Sequence, residues 1–365
     1  MIRIGLIGIG FMGMTHYEAS NKLENDETTG LRKKVGSKLD GAEVVAIAEQ
    51  VPERLEGDWT SIQGNFGPRG SKMDLSHLKR YSDYHELLAD PDIDMVDICV
   101  PTDRHEQVVL DAIAAGKQVF VEKPISTDLE AAKRMVEAAK KAGVLLMVGH
   151  VLPFFPEFAF IVECVKQQKY GKLLAAHFRR VITPPTWSAA MADFRRLGGW
   201  GIDLHIHDNH LIRYLCGLPK QIFARGLIED GYVNHVHTLY VYDDPSLAVS
   251  CVSGGIAKPG LPFAHGFELY FEKATVLFSA GTIGEEWCVD RPLTLITEDG
   301  KVEKPELKGG EEWCSAFTAE LQEVVNGVKR GKEPEGLSGQ VAFDALKMCY
   351  VEKKSIQSGQ VENVE

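Results

Sequence analysis

The chain has 365 residues, which is more than one hydrophobic core usually spans, so its length predicts two domains. Hydrophobic residues make up 44% of it, enough for two cores without metal or disulfide support, and the net charge of −12 argues against a nucleic-acid partner or an anionic membrane surface. Its seven cysteines include no CxxC pair and its N-terminus lacks the apolar stretch of a signal peptide, which predicts free thiols and a cytoplasmic protein.

The first part of the chain, residues 1–150, alternates short apolar runs with helix-like segments. The predicted strands are rich in β-branched residues without polar alternation, as buried parallel strands are, and they are residues 2–7, 43–48, 94–100, 117–122 and 144–148. The polar segments 24–40 and 55–80 are predicted to be long loops. This alternation predicts an α/β fold that begins with a Rossmann domain, a doubly wound parallel sheet.

After Pro153, strand-like runs follow one another more closely, separated by Asp-Asp-Pro, Gly-Gly and Asp-Gly turn signals. Such short connections favour antiparallel pairing. The predicted strands are residues 172–182, 221–228, 233–242, 246–253, 265–272, 275–279 and 293–298, and the predicted helices are 156–168, 201–216, 313–330 and 340–356. We therefore expect a C-terminal α/β domain with a large, mainly antiparallel open sheet.

These elements predict three parts of the chain. They are an NAD(P)-binding Rossmann domain over 1–150, a substrate-binding and oligomerisation domain over 151–335, and a C-terminal helix over 336–365 that packs back on the N-terminal domain. Because one covered face of the second sheet suffices for its own core, the other face is expected to meet a second subunit in a homodimer or homotetramer.

Gly8, Gly10 and Gly13 form a GxGxxG motif directly after the first predicted strand, and Phe11 and Met12 begin the next helix. The first glycine permits the tight turn, the second lets the backbone approach a pyrophosphate, and the third lets helix and strand pack closely. The helix N-terminus then directs its positive dipole end at the phosphates. A glycine-rich turn can be purely structural, but its place before further strand–helix units predicts a dinucleotide site.

Glu49 ends the second predicted strand, where a carboxylate can accept hydrogen bonds from both ribose hydroxyls and repel a 2′-phosphate. Its position favours NAD over NADP, and the alternative is a solvated carboxylate at a strand end. The other residues expected to line the cofactor follow strands at the carboxyl edge of the sheet, and they are Pro101, Thr102, His105, Glu122 and Lys123.

Lys123 follows the strand at 117–122 and reaches the same sheet edge as the glycine turn. Its ammonium can hydrogen-bond a substrate hydroxyl and hold the oxygen as charge develops. A lysine with its ordinary pKa is a poor base at neutral pH, but burial beside an oxidised nicotinamide would lower that pKa. The alternative is a surface lysine beside the turn residue Pro124.

The segment from Gly198 to Gly217 is the richest in polar chemistry. Asp203 and His207 are four residues apart and would share one helix face, with His210 close to that face. A carboxylate that orients an imidazole beside a substrate hydroxyl is a proton-transfer pair. The alternative is a helix-terminal aspartate with a core histidine.

A metal site is the other reading of the histidines. His205, His207 and Asp208, with His235 and His237 on a predicted strand, could supply ligands. However, HxH pairs are frequent without metal, and neither HExxH nor a Cys/His zinc spacing is present. We therefore predict that no metal is bound.

Taken together, these residues resemble the Gfo/Idh/MocA family, which includes glucose–fructose oxidoreductase and inositol dehydrogenases. The resemblance covers most of the chain and runs through GLIGIGFMG, VVAIAEQVPER, AGKQVFVEKPIS, GVLLMVGH, GGWGIDLHIHD and GKEPEGLSGQVAFDAL. It implies that Lys123, Asp203 and His207 are the catalytic lysine, aspartate and histidine. The residues expected to bind substrate are these three together with His150 and His210.

The resemblance further implies an NAD(P)-dependent dehydrogenase that acts on a secondary hydroxyl of a sugar, sugar derivative or cyclitol. Trp200, His205, His210 and Pro153 depart from residues that are usual in the family, which leaves the substrate open. Two other functions stay open as well. A non-catalytic cofactor-binding regulator would not need the lysine, aspartate and histidine together, whereas a lyase or epimerase with tightly held NAD would.

Overall fold

The computed structural model describes residues 1–184 and 196–364. The chain forms two compact units, Met1–Phe155 with Gly309–Phe343 and Pro156–Lys308 with Asp344–Glu365. This division differs from the expectation that residues up to 335 belong to the second domain and 336–365 to the first. The helix that begins at Ser315 explains part of the difference, since its Phe317, Leu321 and Val324 are buried in the core of the first unit.

The helices of the described residues are, in chain order, α1 (Phe11–Ser20), α2 (Pro52–Leu55), α3 (Tyr84–Ala89), α4 (His105–Ala114), α5 (Leu129–Ala142), α6 (Pro156–Lys166), α7 (Trp200–Asp203), α8 (Ile206–Cys216), α9 (Ser315–Arg330) and α10 (Gly339–Ser358). Local sequence accounts for their ends. The Asp128 side chain caps α5 by accepting the Ala131 N–H at 2.7 Å, and Gly143 ends it with a left-handed φ of 67°.

The first unit contains nine strands, β1 (Ile2–Ile7), β2 (Asn21–Asn25), β3 (Arg32–Ser37), β4 (Ala42–Ala48), β5 (Met73–Asp74), β6 (Lys79–Tyr81), β7 (Met95–Ile98), β8 (Gln118–Glu122) and β9 (Leu146–Gly149). Six of them form a sheet in the order β6-β4-β1-β7-β8-β9, and every pairing in it is parallel. The strand order reverses at β1, where ligands of doubly wound sheets bind beyond the carboxyl ends. The predicted Rossmann sheet is confirmed.

Part of the segments predicted as loops at 24–40 and 55–80 folds into a separate small sheet. β2 and β3 pair as an antiparallel hairpin, and β3 pairs in parallel with β5. These strands are short and largely polar, so they lack the apolar run that marks a buried strand. The second segment is anchored by Trp59, which is fully buried and meets the Tyr17 ring edge-on at 5.1 Å.

The second unit contains β10 (Leu173–Ile182), β11 (Gln221–Glu229), β12 (Tyr232–Val241), β13 (Ala248–Gly254), β14 (Phe263–Phe271), β15 (Ala274–Ile283), β16 (Glu286–Thr297), β17 (Val302–Glu303) and β18 (Glu362–Asn363). They form one nine-stranded sheet in the order β17-β16-β15-β14-β10-β13-β12-β11-β18. Its pairings are antiparallel except for β10 with β13, so the predicted large, mainly antiparallel sheet is confirmed.

One face of this sheet supplies the core of the second unit, and the other carries exposed apolar side chains. Phe178 and Phe267 are buried, whereas Leu239 is 49% and Tyr270 is 42% exposed. Strand geometry explains why buried and exposed side chains alternate, because successive residues of a strand point to opposite faces. None of the helices in residues 1–184 and 196–364 has both the length and the apolar character of a membrane span.

The helix predicted over 201–216 is two helices, α7 and α8. At the junction the His207 N–H bonds the Leu204 carbonyl three residues back at 3.3 Å, which is a tighter turn than that of an α-helix. The seven cysteines are all unpaired thiols, as the sequence predicted.

Candidate active site

The glycine motif forms a tight turn between β1 and α1. Gly8 has a φ of +92°, and a Cβ added to it would lie 3.0 Å from the Cys99 carbonyl oxygen. A Cβ on Gly13 would lie 2.0 Å from the Gly8 oxygen, so this position must remain glycine for the helix to pack on the strand. Gly10 is the N-cap of α1, and a Cβ added to it would meet no neighbouring heavy atom within 4 Å. The turn therefore offers the close backbone approach that a pyrophosphate requires.

Glu49 follows β4 and is tied to this turn. Its Oε2 accepts the Ile9 N–H at 2.6 Å, and its Oε1 accepts the Val51 N–H at 2.8 Å. The Arg54 guanidinium donates to the Ile9 carbonyl at 3.1 Å. Arg54 was not singled out from the sequence, although its position in the first helix after the acidic residue was a signal that could have drawn attention to it. Both side chains hydrogen-bond the backbone of Ile9, so they connect the acidic residue to the glycine turn.

Pro101, Thr102 and His105 follow β7 at the same edge of the sheet. Pro101 is exposed and Thr102 begins a short 3₁₀ turn. His105 is buried, with Nδ1 2.9 Å from the Pro124 carbonyl oxygen and Nε2 3.0 Å from that of Val100. Burial lowers the pKa of this imidazole. His105 therefore links the two loops that contain Val100 and Pro124, and the expected contact of His105 with the cofactor stays a prediction.

Lys123 and Glu122 end β8 but face different surroundings. Lys123 is partly exposed, and its peptide bond to Pro124 is cis. Glu122 is buried; its Oε2 accepts the Lys123 N–H at 3.1 Å, and its Oε1 lies 3.0 Å from His16 Nε2. The carboxylate is directed into the interior of the first unit, and the expected contact of Glu122 with the cofactor stays a prediction.

The polar residues of the 198–217 segment divide by exposure. Asp203 and His207 are partly exposed, at the end of α7 and in the first turn of α8. His210, by contrast, is fully buried, and so is His150, which follows β9 in the first unit. Both imidazoles are buried, and the expectation that His150 and His210 bind substrate stays a prediction.

His205 belongs to a buried hydrogen-bond network in the second unit. Its Nε2 lies 2.8 Å from Glu352 Oε1, an oxygen that also accepts from the hydroxyls of Thr238 at 2.8 Å and Tyr240 at 3.0 Å. The other carboxylate oxygen of Glu352 accepts from the Asn209 side-chain amide at 2.8 Å. The Glu352 carboxylate thus has four side-chain partners, and one of them is His205. The buried His205 Nε2 therefore has a protein partner and does not need a metal ion to satisfy it.

Three groups of histidine, cysteine and acidic side chains in the described residues have ligand-type atoms within 4.8 Å of one another. One consists of His205, Asp208 and Cys251, where Asp208 is already held by Arg180 Nε at 3.1 Å. None of the three contains His207, His235 or His237. Among the residues that the structure describes, those three histidines therefore belong to no group of this kind.

The remaining two groups lie in the first unit, and sequence reasoning missed them. Both include His16 of α1, one with Asp97 and Cys99 at β7 and the other with Glu122 and Glu320. Asp97 stands inside an apolar strand, which was the available signal, since a polar side chain on a buried strand needs a partner. Nothing local marked His16 or Glu320.

Comparison with known proteins agrees with this architecture. Residues 2–150 match the Gfo/Idh/MocA family, an oxidoreductase family with an NAD-binding Rossmann fold. The chain is 28% identical over 362 residues to a myo-inositol 2-dehydrogenase of Thermotoga maritima, covering 98% of this chain and 96% of that protein. It is 25% identical to a scyllo-inositol 2-dehydrogenase (NAD(+)) of Bacillus subtilis over 91% of this chain and 88% of the relative. The crystal structure of a probable dehydrogenase from Thermotoga maritima superposes with a TM-score of 0.74 at 25% identity, covering 100% and 99% of the two chains.

Proposed function

We propose that the chain is an oxidoreductase of the Gfo/Idh/MocA family that binds NAD through its Rossmann domain and oxidises a secondary hydroxyl of a cyclitol or a closely similar sugar ring. The glycine turn and the Glu49 carboxylate fit the two halves of that cofactor, a pyrophosphate and a ribose diol. Similarity to proteins named as inositol 2-dehydrogenases supports a cyclitol as substrate.

One observation carries the assignment of the reactive groups. Among the aspartate and histidine side chains of the 198–217 segment, Asp203 and His207 keep solvent access while His205, Asp208 and His210 are buried. The two accessible groups are those that the resemblance assigns to chemistry. Proton transfer with a substrate needs an accessible group, since a side chain sealed in a core cannot reach the hydroxyl.

The proposed roles follow from the chemistry of each group. Lys123 donates a hydrogen bond to the reacting oxygen, and His207 takes the hydroxyl proton as the C–H bond breaks. Asp203 orients the imidazole of His207 and offsets the charge that it gains. Bound NAD supplies the hydride acceptor.

Glu49 leads us to propose NAD in preference to NADP, because its carboxylate would repel a 2′-phosphate. We further propose that the chain works as a homodimer or homotetramer formed through the exposed face of the second sheet, where Leu227, Leu239, Val241 and Tyr270 are all at least 40% exposed. Seven unpaired cysteine thiols favour a reducing compartment, the cytoplasm.

A substrate screen tests this proposal. Purified protein is incubated with NAD and a panel of inositols, sugars and uronates, and the absorbance of NADH is followed. We expect net NADH formation with one or a few cyclitols. Substrate turnover without net NADH would instead indicate an epimerase or lyase that reoxidises its cofactor within each cycle, and no turnover in the panel together with NAD binding would favour a regulator.

A further inference from the structure

A buried cluster of ionisable side chains lies beneath the reactive lysine in the first unit. It joins His16 of α1, Asp97 of β7, Glu122 of β8 and Glu320 of α9. Their exposed fractions are 1%, 3%, 6% and 0%, respectively. Three carboxyl groups and one imidazole therefore share a space without solvent, where isolated charges are costly and protons must be distributed among the groups.

His16 stands between two of the carboxylates. Its Nδ1 lies 2.9 Å from an Asp97 oxygen, and its Nε2 lies 3.0 Å from Glu122 Oε1. Burial lowers the pKa of His16, but the Asp97 carboxylate and the Cys99 thiol together raise it well above its usual value. His16 is therefore an imidazolium that donates to Asp97 through Nδ1, whereas its Nε2 forms an ion pair with Glu122 without a hydrogen bond of good geometry. It balances only one of the negative charges.

Glu320 is the third carboxyl group, and its surroundings keep it neutral. Neither of its oxygens has a hydrogen-bond partner among the described residues, although its carboxyl group lies within 4.8 Å of the Glu122 and His16 ligand atoms. Burial and the negative charges of Glu122 and Asp97 raise the pKa of Glu320 well above its usual value, against the opposing effect of His16. A neutral carboxylic acid has an O–H to donate, and a Glu122 oxygen within 4.8 Å is the neighbouring acceptor, although the two groups are not hydrogen-bonded as placed.

Glu122 connects this cluster to the reactive lysine. Its Oε2 accepts the Lys123 backbone N–H at 3.1 Å. The β9 backbone closes the other side, since a Cβ on Gly149 would lie 2.8 Å from Glu122 Oε1. The carboxylate of Glu122 thus sits in a closed space, and its position fixes the point from which the Lys123 side chain leaves the sheet.

We propose that Glu320 shares its proton with Glu122 and, with His16 on the other side, acts as a positioning residue that holds the backbone of Lys123 for hydride transfer. The inference rests on the proposed role of Lys123. A metal ion bound by His16, Glu122 and Glu320 is the competing occupant of the cluster. The ion pair of 3.0 Å between His16 Nε2 and Glu122 Oε1 favours the proton, because an imidazolium has no free nitrogen lone pair to offer a metal ion.

Two substitutions separate the donor role from simple packing. Glu320→Gln keeps an N–H donor in the same volume, and it should retain kcat within about threefold of wild type. Glu320→Leu fills the space but cannot donate, and it should lower kcat about 10- to 100-fold through misplacement of Lys123, with Kd for NAD unchanged. Glu323→Leu, a partly exposed position on the same helix, is the matched control and should leave kcat unchanged. Equal losses in the Gln and Leu variants, or no loss in the Leu variant, would overturn the proposal.

Two measurements report on the proton without relying on catalysis. Infrared spectra at neutral pH should contain the band of a protonated carboxylic acid in wild type and lack it in Glu320→Gln. Since the pKa of folded Glu320 is raised, wild type should lose stability relative to Glu320→Gln as pH rises from the usual carboxyl range toward neutrality. Absence of the band, or one equivalent of metal in the purified protein, would contradict the proposal. If Lys123→Ala were active while the band is present, the role of Lys123 would fail, and the proton assignment would stand.

Discussion

Glu49 accepts a hydrogen bond from the backbone N–H of Ile9, with 2.6 Å between oxygen and nitrogen. The residue that we propose selects the ribose is thereby attached to the turn that we propose receives the phosphates. A substitution at Glu49 should consequently affect two properties of the cofactor site, the choice between NAD and NADP and the order of the glycine turn.

The first prediction concerns cofactor choice. Glu49→Ala should weaken NAD binding about 10- to 100-fold, the usual effect of losing hydrogen bonds to a charged group, and should narrow the preference for NAD over NADP. Calorimetric titration with both cofactors measures this. Glu53→Ala, which removes an exposed carboxylate on the neighbouring helix, is the control and should change neither affinity. Tighter binding of NADP than NAD by wild type would show that Glu49 has another role.

The second prediction concerns the reactive groups. Lys123→Ala and His207→Ala should each lower kcat about 10²–10⁴-fold, as expected when a positioned proton-transfer group is removed. The affinity for NAD should stay within a few-fold. The double variant should lose less than the product of the single losses, because the groups act as a unit. Single-turnover hydride transfer is the measurement.

Lys133→Ala on α5 and His85→Ala on α3 are matched controls, since both side chains are exposed and neither belongs to the proposed site or to the proposed subunit interface. They should retain the wild-type rate. Near-wild-type rates in Lys123→Ala and His207→Ala would remove both residues from the mechanism and favour the cofactor-binding regulator.

The third prediction is that activity does not depend on metal. After chelation and dialysis the protein should keep full activity. The reason is that two candidate metal ligands already have protein partners, since His205 contacts Glu352 and Asp208 accepts from Arg180. Elemental analysis of the same sample should find less than one equivalent of zinc or manganese. Loss of activity on chelation, with recovery when one metal is returned, would show that a metal site had been overlooked.

The fourth prediction concerns assembly through the second sheet. Leu239→Arg should convert the oligomer to a smaller species, because it places a charge in the apolar face that we expect to be buried between subunits. Val35→Arg is the control on the first unit, since Val35 is 48% exposed and Leu239 is 49% exposed. Light scattering at micromolar concentration reads out the mass. A wild-type monomer would refute the proposed interface.

The fifth prediction is a pH-dependent contribution of His205 to stability. Burial lowers the pKa of this imidazole, but the Glu352 carboxylate raises it more, so the folded pKa lies above the usual histidine value. Its contribution should be complete at acidic pH and be lost as pH rises through the folded pKa. His205→Gln should therefore cost most stability at about pH 6 and less at higher pH.

Chemical unfolding at several pH values measures that difference in the free energy of unfolding. A difference for His205→Gln that is constant with pH would contradict the prediction, because it would mean that the pKa of His205 is the same in the folded and unfolded protein.

The sequence by itself determined the Rossmann sheet and the glycine turn. The apolar runs at β1, β4, β7, β8 and β9 lack polar alternation, and such periodicity survives folding because it records burial on both faces. The spacing of Gly8, Gly10 and Gly13 was equally informative, since each position has its own steric requirement. The selection of Lys123, Asp203 and His207 came from local motifs and the resemblance that they carry.

Only the tertiary structure decided which neighbours of these motifs are accessible. Glu122 stands beside Lys123 in the sequence yet faces the interior, and His210 lies one helical turn from His207 yet is fully buried. His16 and Glu320 come from opposite ends of the chain to one buried cluster. Local patterns report the face of a helix or strand, whereas the exposure and protonation of a side chain depend on what distant segments bring against it, and those contacts exist only after the chain has folded.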